Sequence, residues 1–199
     1  MIRNSALLLR SGGTVVNFPW SNGIIHFTRA LGAVHADALD SAAIDIGRLK
    51  ECANYLTEQG KDYMANQVEI MVKAAEAWLL FANGNNEDAI ATMRLSAEME
   101  YKTEKQSLTP GEVLPAQELL GDLLMALERP SEALEAYEIN LKQRPNRFNG
   151  VYGAAKAAQA VGDVEMASKY FKALLEQCKE SGLVRGELKE AEEFLKQHM

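Results

Sequence analysis

Residues of similar size and type recur 34 positions apart in the second half of the chain. The recurrence holds in four pairs: Gly121 with Ala155, Leu127 with Val161, Ala133 with Ala167, and Tyr137 with Phe171. A fixed period of roughly 20 to 50 residues is typical of repeat proteins, in which each unit buries its apolar face against its neighbours. The recurrence therefore predicts a stack of similar units.

The hydrophobic pattern inside each unit is helical and is interrupted once. The first apolar stripe consists of Leu119, Leu120, Leu123, Leu124 and Leu127. This spacing fits one face of an α-helix. Pro130 then interrupts the pattern and Ser131 is a candidate cap for the next helix. In the following unit Gly162 and Asp163 form the equivalent break. Each unit is therefore predicted to be a helix, a tight turn and a second helix.

The small residues indicate where helices approach closely. Glycine inside a helix costs about 1 kcal/mol relative to alanine, so Gly121 needs a compensating contact. Two helix axes packed at ~8 Å leave no room for a long side chain and provide that contact. We expect Ala133 and Ala167 to be the matching small residues on the second helices. Tyr137 and Phe171 would fill the gap to the neighbouring pair. The alternative is that the alanines only favour helix formation.

These positions resemble the tetratricopeptide repeat (TPR), which has a small residue, an alanine, an aromatic and a proline at its eighth, twentieth, twenty-fourth and thirty-second positions. The best copy has Gly121, Ala133, Tyr137 and Pro145, the next has Ala155, Ala167 and Phe171, and weaker copies have Ala77, Ala89 and Met93, or Ala30, Ala42 and Ile46. The stretch from Phe18 to Leu175 is similar to the C-terminal region of uncharacterised bacterial TPR proteins. The resemblance implies an all-α, right-handed superhelix of about four helix pairs and a C-terminal capping helix.

We expect one TPR-like domain over residues 1–199. Its parts are a loosely structured lead-in at 1–19, helix pairs at 20–60, 61–102, 114–145 and 148–181, and a capping helix at 185–198. The polar segment 103–112 is longer than an ordinary connection and is a candidate functional loop. The acidic residues Glu190, Glu192 and Glu193 of the capping helix are expected to be solvated.

The charge balance excludes several classes of partner. The chain has 28 acidic and 21 basic residues, a formal net charge of −7, so it lacks the basic surface of a nucleic-acid or anionic-membrane binder. No apolar run approaches the ~18 residues of a membrane-spanning helix. Cys52 and Cys178 are far apart and are expected to be reduced thiols. We expect a cytoplasmic protein, although a signal upstream of this chain would not be visible.

No catalytic motif of a phosphate loop, a dinucleotide fold, a zinc protease or an α/β-hydrolase is present. His26 and His35 are nine residues apart and fall on opposite helix faces, which favours structural roles. Glu118 and Asp122 share one helix face, but acid–base catalysis would also need a nucleophile or a metal. The sequence therefore predicts no enzymatic activity and no cofactor.

The resemblance implies that the first helices of the pairs line a concave groove. Its partner-binding residues are predicted to be Trp78, Glu118, Asp122, Asn149, Tyr152 and Lys156. The predicted function is a scaffold that binds a peptide or protein segment, and a second copy of the chain is a further candidate partner. Core packing for Trp78 and a solvated helix face for Tyr152 and Lys156 remain alternatives. So do a small-molecule or enzymatic pocket near Glu118, Asp122 and the 103–112 loop, and a purely structural cap of a longer solenoid.

Overall fold

The computed structural model describes residues 19–103, 112–180, 182 and 184–198. All regular secondary structure in these ranges is α-helical, so the predicted all-α class is confirmed. The helices are α1 (Pro19–His35), α2 (Leu39–Glu58), α3 (Asp62–Ala82), α4 (Asn86–Lys102), α5 (Ala116–Ala126), α6 (Pro130–Gln143), α7 (Phe148–Val161), α8 (Val164–Cys178) and α9 (Gly186–Gln197).

The chain divides into two compact units, Met1–Val113 (unit 1) and Leu114–Met199 (unit 2). Each observed helix lies within a predicted helix pair or the predicted capping helix, except that α1 begins one residue early. A single domain over 1–199 stays a prediction. Of the predicted lead-in only Pro19 is described, and residues 104–111 of the predicted loop also lie outside the described residues.

Unit 1 consists of two helical hairpins, α1 with α2 and α3 with α4, and α3 also packs against α1 and α2. A buried carboxylate joins the first hairpin. Asp45 on α2 is 4% exposed and accepts a hydrogen bond from Arg29 Nε of α1 at 3.0 Å. His26 Nδ1 of α1 lies 2.7 Å from Asp45 Oδ1. Both partners come from α1, so this pair of helices is fixed in register by a polar contact as well as by apolar packing.

Unit 2 consists of the hairpins α5 with α6 and α7 with α8, followed by α9, which packs against α8. The turn between α7 and α8 is formed as expected. Gly162 ends α7 in the left-handed conformation at φ 86°, and Asp163 caps α8 by accepting a hydrogen bond from the Met166 backbone N–H. Ser131 is not a cap, because Pro130 itself is the first residue of α6. Proline is favoured there since that position needs no N–H donor.

The recurring small residues are buried in both units. Ala42, Ala89, Ala133, Ala155 and Ala167 are all 0% exposed. Close packing surrounds the Tyr137 ring of α6, which lies between a glycine of α5 and a glycine of α7. A Cβ atom added to Gly121 would be 2.6 Å from Tyr137 Cε1, and one added to Gly153 would be 2.4 Å from the same atom. Both distances are far below carbon–carbon contact, so only glycine fits on either side of this ring.

Phe171 of α8 lies 34 residues after Tyr137, at the equivalent position of the next sequence repeat, but it has different neighbours. It is 0% exposed and belongs to a cluster with Val151 and Ala155 of α7 and Phe194 of α9. Its ring centroid is 4.9 Å from that of Phe194. The apolar face that α7 and α8 would otherwise leave open is therefore covered by α9, as a capping helix of a repeat protein does.

Candidate functional site

Four residues of α7 form one stripe because their spacing is i, i+3, i+7 and i+10. They are Asn149, Tyr152, Lys156 and Gln159. Asn149 and Gln159 are exposed, and Tyr152 and Lys156 are half-buried. The residues between them are buried, among them Val151 and Ala155. We call this stripe the α7 face. It contains three of the six predicted partner-binding residues.

Two side chains of the α7 face bind the same carboxylate of α9. Tyr152 Oη donates a hydrogen bond to Glu190 Oε2 at 2.5 Å. Lys156 Nζ forms an ion pair with Glu190 Oε1 and also donates a hydrogen bond to Gln159 Oε1 at 3.2 Å. Both oxygens of Glu190 therefore have a donor on α7. The middle of the α7 face is occupied by the protein's own last helix.

These contacts change the acidity of the groups that make them. Partial burial disfavours the charged form of Glu190, but the hydrogen bonds from Lys156 and Tyr152 and the Lys156 charge outweigh it and hold the pKa of Glu190 below its usual range. Burial, followed by the hydrogen bond to Glu190, raises the pKa of Tyr152. At neutral pH the contact therefore joins an ionised carboxylate to a neutral phenol and an ammonium group.

Apolar contacts hold the other half of α9. Ala191, Phe194 and Leu195 are its buried residues, and they lie in the cluster that contains Phe171. At the N-terminal end of α9 the guanidinium of Arg185 lies 4.0 Å from the centroid of the Phe148 ring and pairs with Glu187. The helix is thus anchored by apolar side chains near its end and by polar contacts near its start.

Two clefts lie beside the segment that joins α8 to α9. One of about 810 Å³ is lined by Phe148, Val151, Cys178 and Arg185 among other residues. The adjoining one of about 520 Å³ is lined by Leu175, Cys178, Val184 and Leu188 among others. The protein surface is therefore recessed on both sides of this connection.

Glu118 was predicted to line the groove, and this prediction is wrong. Glu118 is 2% exposed and therefore cannot line an open groove. Arg147 Nε donates to its Oε2 at 2.6 Å, and Asn140 Nδ2 lies 3.4 Å from the same oxygen. The carboxylate joins α5 to the start of α7, because a buried charge requires such a partner. Asp122, one turn later, is exposed and accepts a hydrogen bond from Tyr137 Oη at 2.6 Å.

Trp78 is also buried, at 5% exposure, and lies on α3 of unit 1. Its ring contacts His35 at a centroid distance of 5.0 Å and meets Phe81 edge-on at 5.6 Å. The indole Nε1 has no hydrogen-bond partner in the part of the chain that the structure describes. This arrangement favours the core-packing alternative over a wall of a groove. His35 thus has an aromatic partner, and His26 has Asp45.

The described residues hold no group of three or more His, Cys, Asp or Glu side chains positioned for a metal ion. Burial raises the pKa of the Cys52 thiol to about 11, so this cysteine is a thiol at neutral pH. Within the described ranges no helix combines the length and the hydropathy that crossing a membrane requires.

Comparison with known proteins shows a weak similarity to a solved structure. No family model matches the chain, and no curated protein does. The solved structure of a MamA mutant is similar with a TM-score of 0.45 and 15% sequence identity, over 78% of this chain and 96% of that one. A similarity of this level assigns neither a family nor a function to the chain.

Glu190 is the site residue that sequence reasoning missed. It was expected to be solvated, together with Glu192 and Glu193, and those two residues are indeed exposed. Glu190 differs because it directly precedes Ala191, a buried residue of the apolar stripe that continues to Leu195. A carboxylate beside a buried stripe is the available signal, but its partners are 34 and 38 residues away and no local pattern connects them.

Proposed function

We propose that this protein is a non-enzymatic interaction scaffold and that the α7 face binds a segment of a partner protein. One observation carries the proposal: Tyr152 and Lys156 hold a carboxylate of an amphipathic helix. These two residues were predicted to bind a partner, and their contact with Glu190 supports that proposal. A phenol and an ammonium group one helical turn apart select an acidic side chain.

The remaining residues of the α7 face support the same function. Asn149 and Gln159 are exposed at the two ends of the stripe. Their amide groups both donate and accept hydrogen bonds, so they suit the backbone or polar side chains of a bound segment. An interface of this type needs a polar rim around its central contacts. We also propose, from the acidic composition of the chain, that its partner is not a nucleic acid.

The alternative of a catalytic pocket at Glu118 and Asp122 receives no such support. Glu118 is ion-paired and buried, and the Asp122 carboxylate is engaged by Tyr137. A general acid or base must reach the proton that it transfers. Glu118 is not presented in that way, so the two carboxylates cannot act together as acid and base, and we assign Glu118 to the packing of unit 2.

Photo-crosslinking in the source cell tests the proposal. A benzophenone amino acid replaces Asn149 in one full-length variant and Lys142, an exposed residue of α6, in the matched control. We expect a cross-linked protein partner from position 149 that is absent from position 142. The same partner should be lost when Lys156→Glu is added to the first variant. Equal products from both positions, or a product that is indifferent to Lys156→Glu, would overturn the proposal.

A further inference from the structure

The contacts of α9 combine apolar packing against the cluster around Phe171 with a polar contact to the α7 face, and the helix follows an exposed connection. The described residues of the connection from α8 are Lys179, Glu180, Gly182, Val184 and Arg185, and all are exposed. Val184 in particular is 84% exposed although it is apolar. Exposed segments of this kind have lower local stability than buried helices.

The anchoring of α9 combines apolar burial with one specific polar contact. Three apolar residues of α9 are buried, and one carboxylate, Glu190, binds both polar groups in the middle of the α7 face. The opposite side of the helix is charged and exposed at Glu192, Glu193 and Lys196. The cleft of about 520 Å³ described above adjoins its N-terminal half at Leu188 and Lys189. A helix with this pattern is the kind of ligand that binds a groove by its apolar face.

We propose that α9 is a displaceable internal ligand of the α7 face and that the partner is an acidic amphipathic helix of the same chemistry. Such a helix places a carboxylate against Tyr152 and Lys156. It presents apolar residues at the positions of Ala191, Phe194 and Leu195 to the cluster around Phe171. This inference rests on the proposed function of the α7 face. It adds to that proposal the chemical class of the partner and a resting state in which α9 itself occupies the α7 face.

The competition between α9 and a partner follows from effective concentration. A tethered helix binds its own site as an intramolecular ligand, with an effective concentration in the millimolar range for a short linker. A partner in solution must therefore either bind more tightly or act when α9 is released. The unmodified protein is consequently expected to bind a free copy of the α9 sequence weakly.

The test uses fluorescein-labelled peptides of residues 186–197 and full-length chains that carry charge reversals at the contact. Glu190→Lys and Lys156→Glu both place like charges together and should release α9. Both side chains are partly exposed, at 38% and 33%, so the helical content measured by circular dichroism should otherwise be retained. Lys142→Glu, on the exposed side of α6, is the matched control for the change in charge.

The two variants should select opposite peptides. By fluorescence anisotropy, the peptide of natural sequence should bind the Glu190→Lys chain at least tenfold more tightly than it binds the unmodified chain or the Lys156→Glu chain. The peptide that itself carries Glu190→Lys should show the reverse preference, for the Lys156→Glu chain. The Lys142→Glu chain should bind either peptide as the unmodified chain does.

Several results would overturn the inference. One is equal binding of the natural peptide by the Glu190→Lys, Lys156→Glu and unmodified chains. Another is a concentration-dependent dimer of the unmodified chain that Lys156→Glu abolishes, because the occupant would then be α9 of a second copy. If peptide exchange fails while position 149 still cross-links a partner, the partner class is wrong and the proposed function stands. If exchange succeeds without a cross-linked partner, the proposed function fails in the cell although the site exists.

Discussion

The most informative perturbation of the fold is Gly153→Ala, because two effects of known size oppose each other at this position. Alanine is favoured over glycine inside a helix by about 1 kcal/mol. Against this, the new methyl group would lie 2.4 Å from both Cε1 and Cζ of Tyr137. Overpacking of a closed core costs about 1 to 3 kcal/mol, and the sign of the result depends on whether the ring can move.

The structure indicates that the Tyr137 ring cannot move. The residue is 2% exposed, and Gly121 contacts it from α5 while Gly153 contacts it from α7. Its hydroxyl is also fixed by the hydrogen bond to Asp122 at 2.6 Å. A shift away from one helix therefore meets the other. We take the upper end of the overpacking cost, about 3 kcal/mol, and subtract the helix-forming gain, which leaves a net loss of about 2 kcal/mol.

Urea unfolding followed by far-ultraviolet circular dichroism measures this loss. Tryptophan fluorescence would not report it, because Trp20 and Trp78 are both in unit 1. The matched control is Gly47→Ala, at a helical glycine of α2 with no atom near the added Cβ. It should gain about 0.5 to 1 kcal/mol.

A double-mutant cycle isolates the contact with the ring. In a chain that already carries Tyr137→Leu, Gly153→Ala should cost at least about 1 kcal/mol less than it does alone. The reasoning is refuted if Gly153→Ala is as stabilising as Gly47→Ala, or if its cost is the same with and without the tyrosine.

Three further predictions follow from buried or coupled charges. Arg147→Ala should lower the free energy of unfolding, measured in urea, by about 3 kcal/mol, because it leaves the buried carboxylate of Glu118 without its cation. Lys142→Ala, at an exposed lysine of α6, should change that free energy by less than about 0.5 kcal/mol. Equal effects of the two substitutions would contradict this assignment. Burial and the hydrogen bond to Glu138 raise the pKa of Tyr170 from 10.0 to about 12, so the contribution of this contact to stability is present below pH 10 and is lost as the pH rises towards 12. Tyr170→Phe should therefore reduce the fall in unfolding free energy over that interval. An unchanged slope would refute this prediction. The pKa of Glu190 is lowered from 4.5, despite the nearby Glu187 charge, so the contact with Lys156 is present above pH 4.5 and is lost as the pH falls below the pKa of the folded state. Hydrogen-exchange protection of α9 relative to α8 should therefore fall in acid. Glu190→Gln should remove this pH dependence.

The turns inside the predicted helix pairs are the easiest features to derive from the sequence because their signals are local. Pro130 begins α6 and Gly162 ends α7 through backbone chemistry that needs no distant partner. The 34-residue recurrence likewise identified Ala133 and Ala167, whose burial is complete. The cap at Ser131 was wrong, because proline competes for the same turn and takes the first helical position.

The candidate site was harder to predict because its contacts connect distant residues. The repeat register placed Tyr152 and Lys156 on one helix face, but it could not show that Glu190 binds them. Glu118 was placed on an open surface because the register gives its face and not the position of Arg147, which is 29 residues later. Gly153 went unnoticed for the same reason: its role is defined by Tyr137 of the preceding hairpin.

Hydrogen exchange of the full-length protein tests most directly whether α9 leaves the α7 face while the rest of unit 2 stays folded. Amides from Ala191 to Leu195 should exchange through an opening that does not include α8, with lower protection than the amides around Phe171. Glu190→Lys should reduce protection in α9 alone. Equal protection of α8 and α9, lowered together by that substitution, would show that α9 is an inseparable part of the core and that the face is permanently closed.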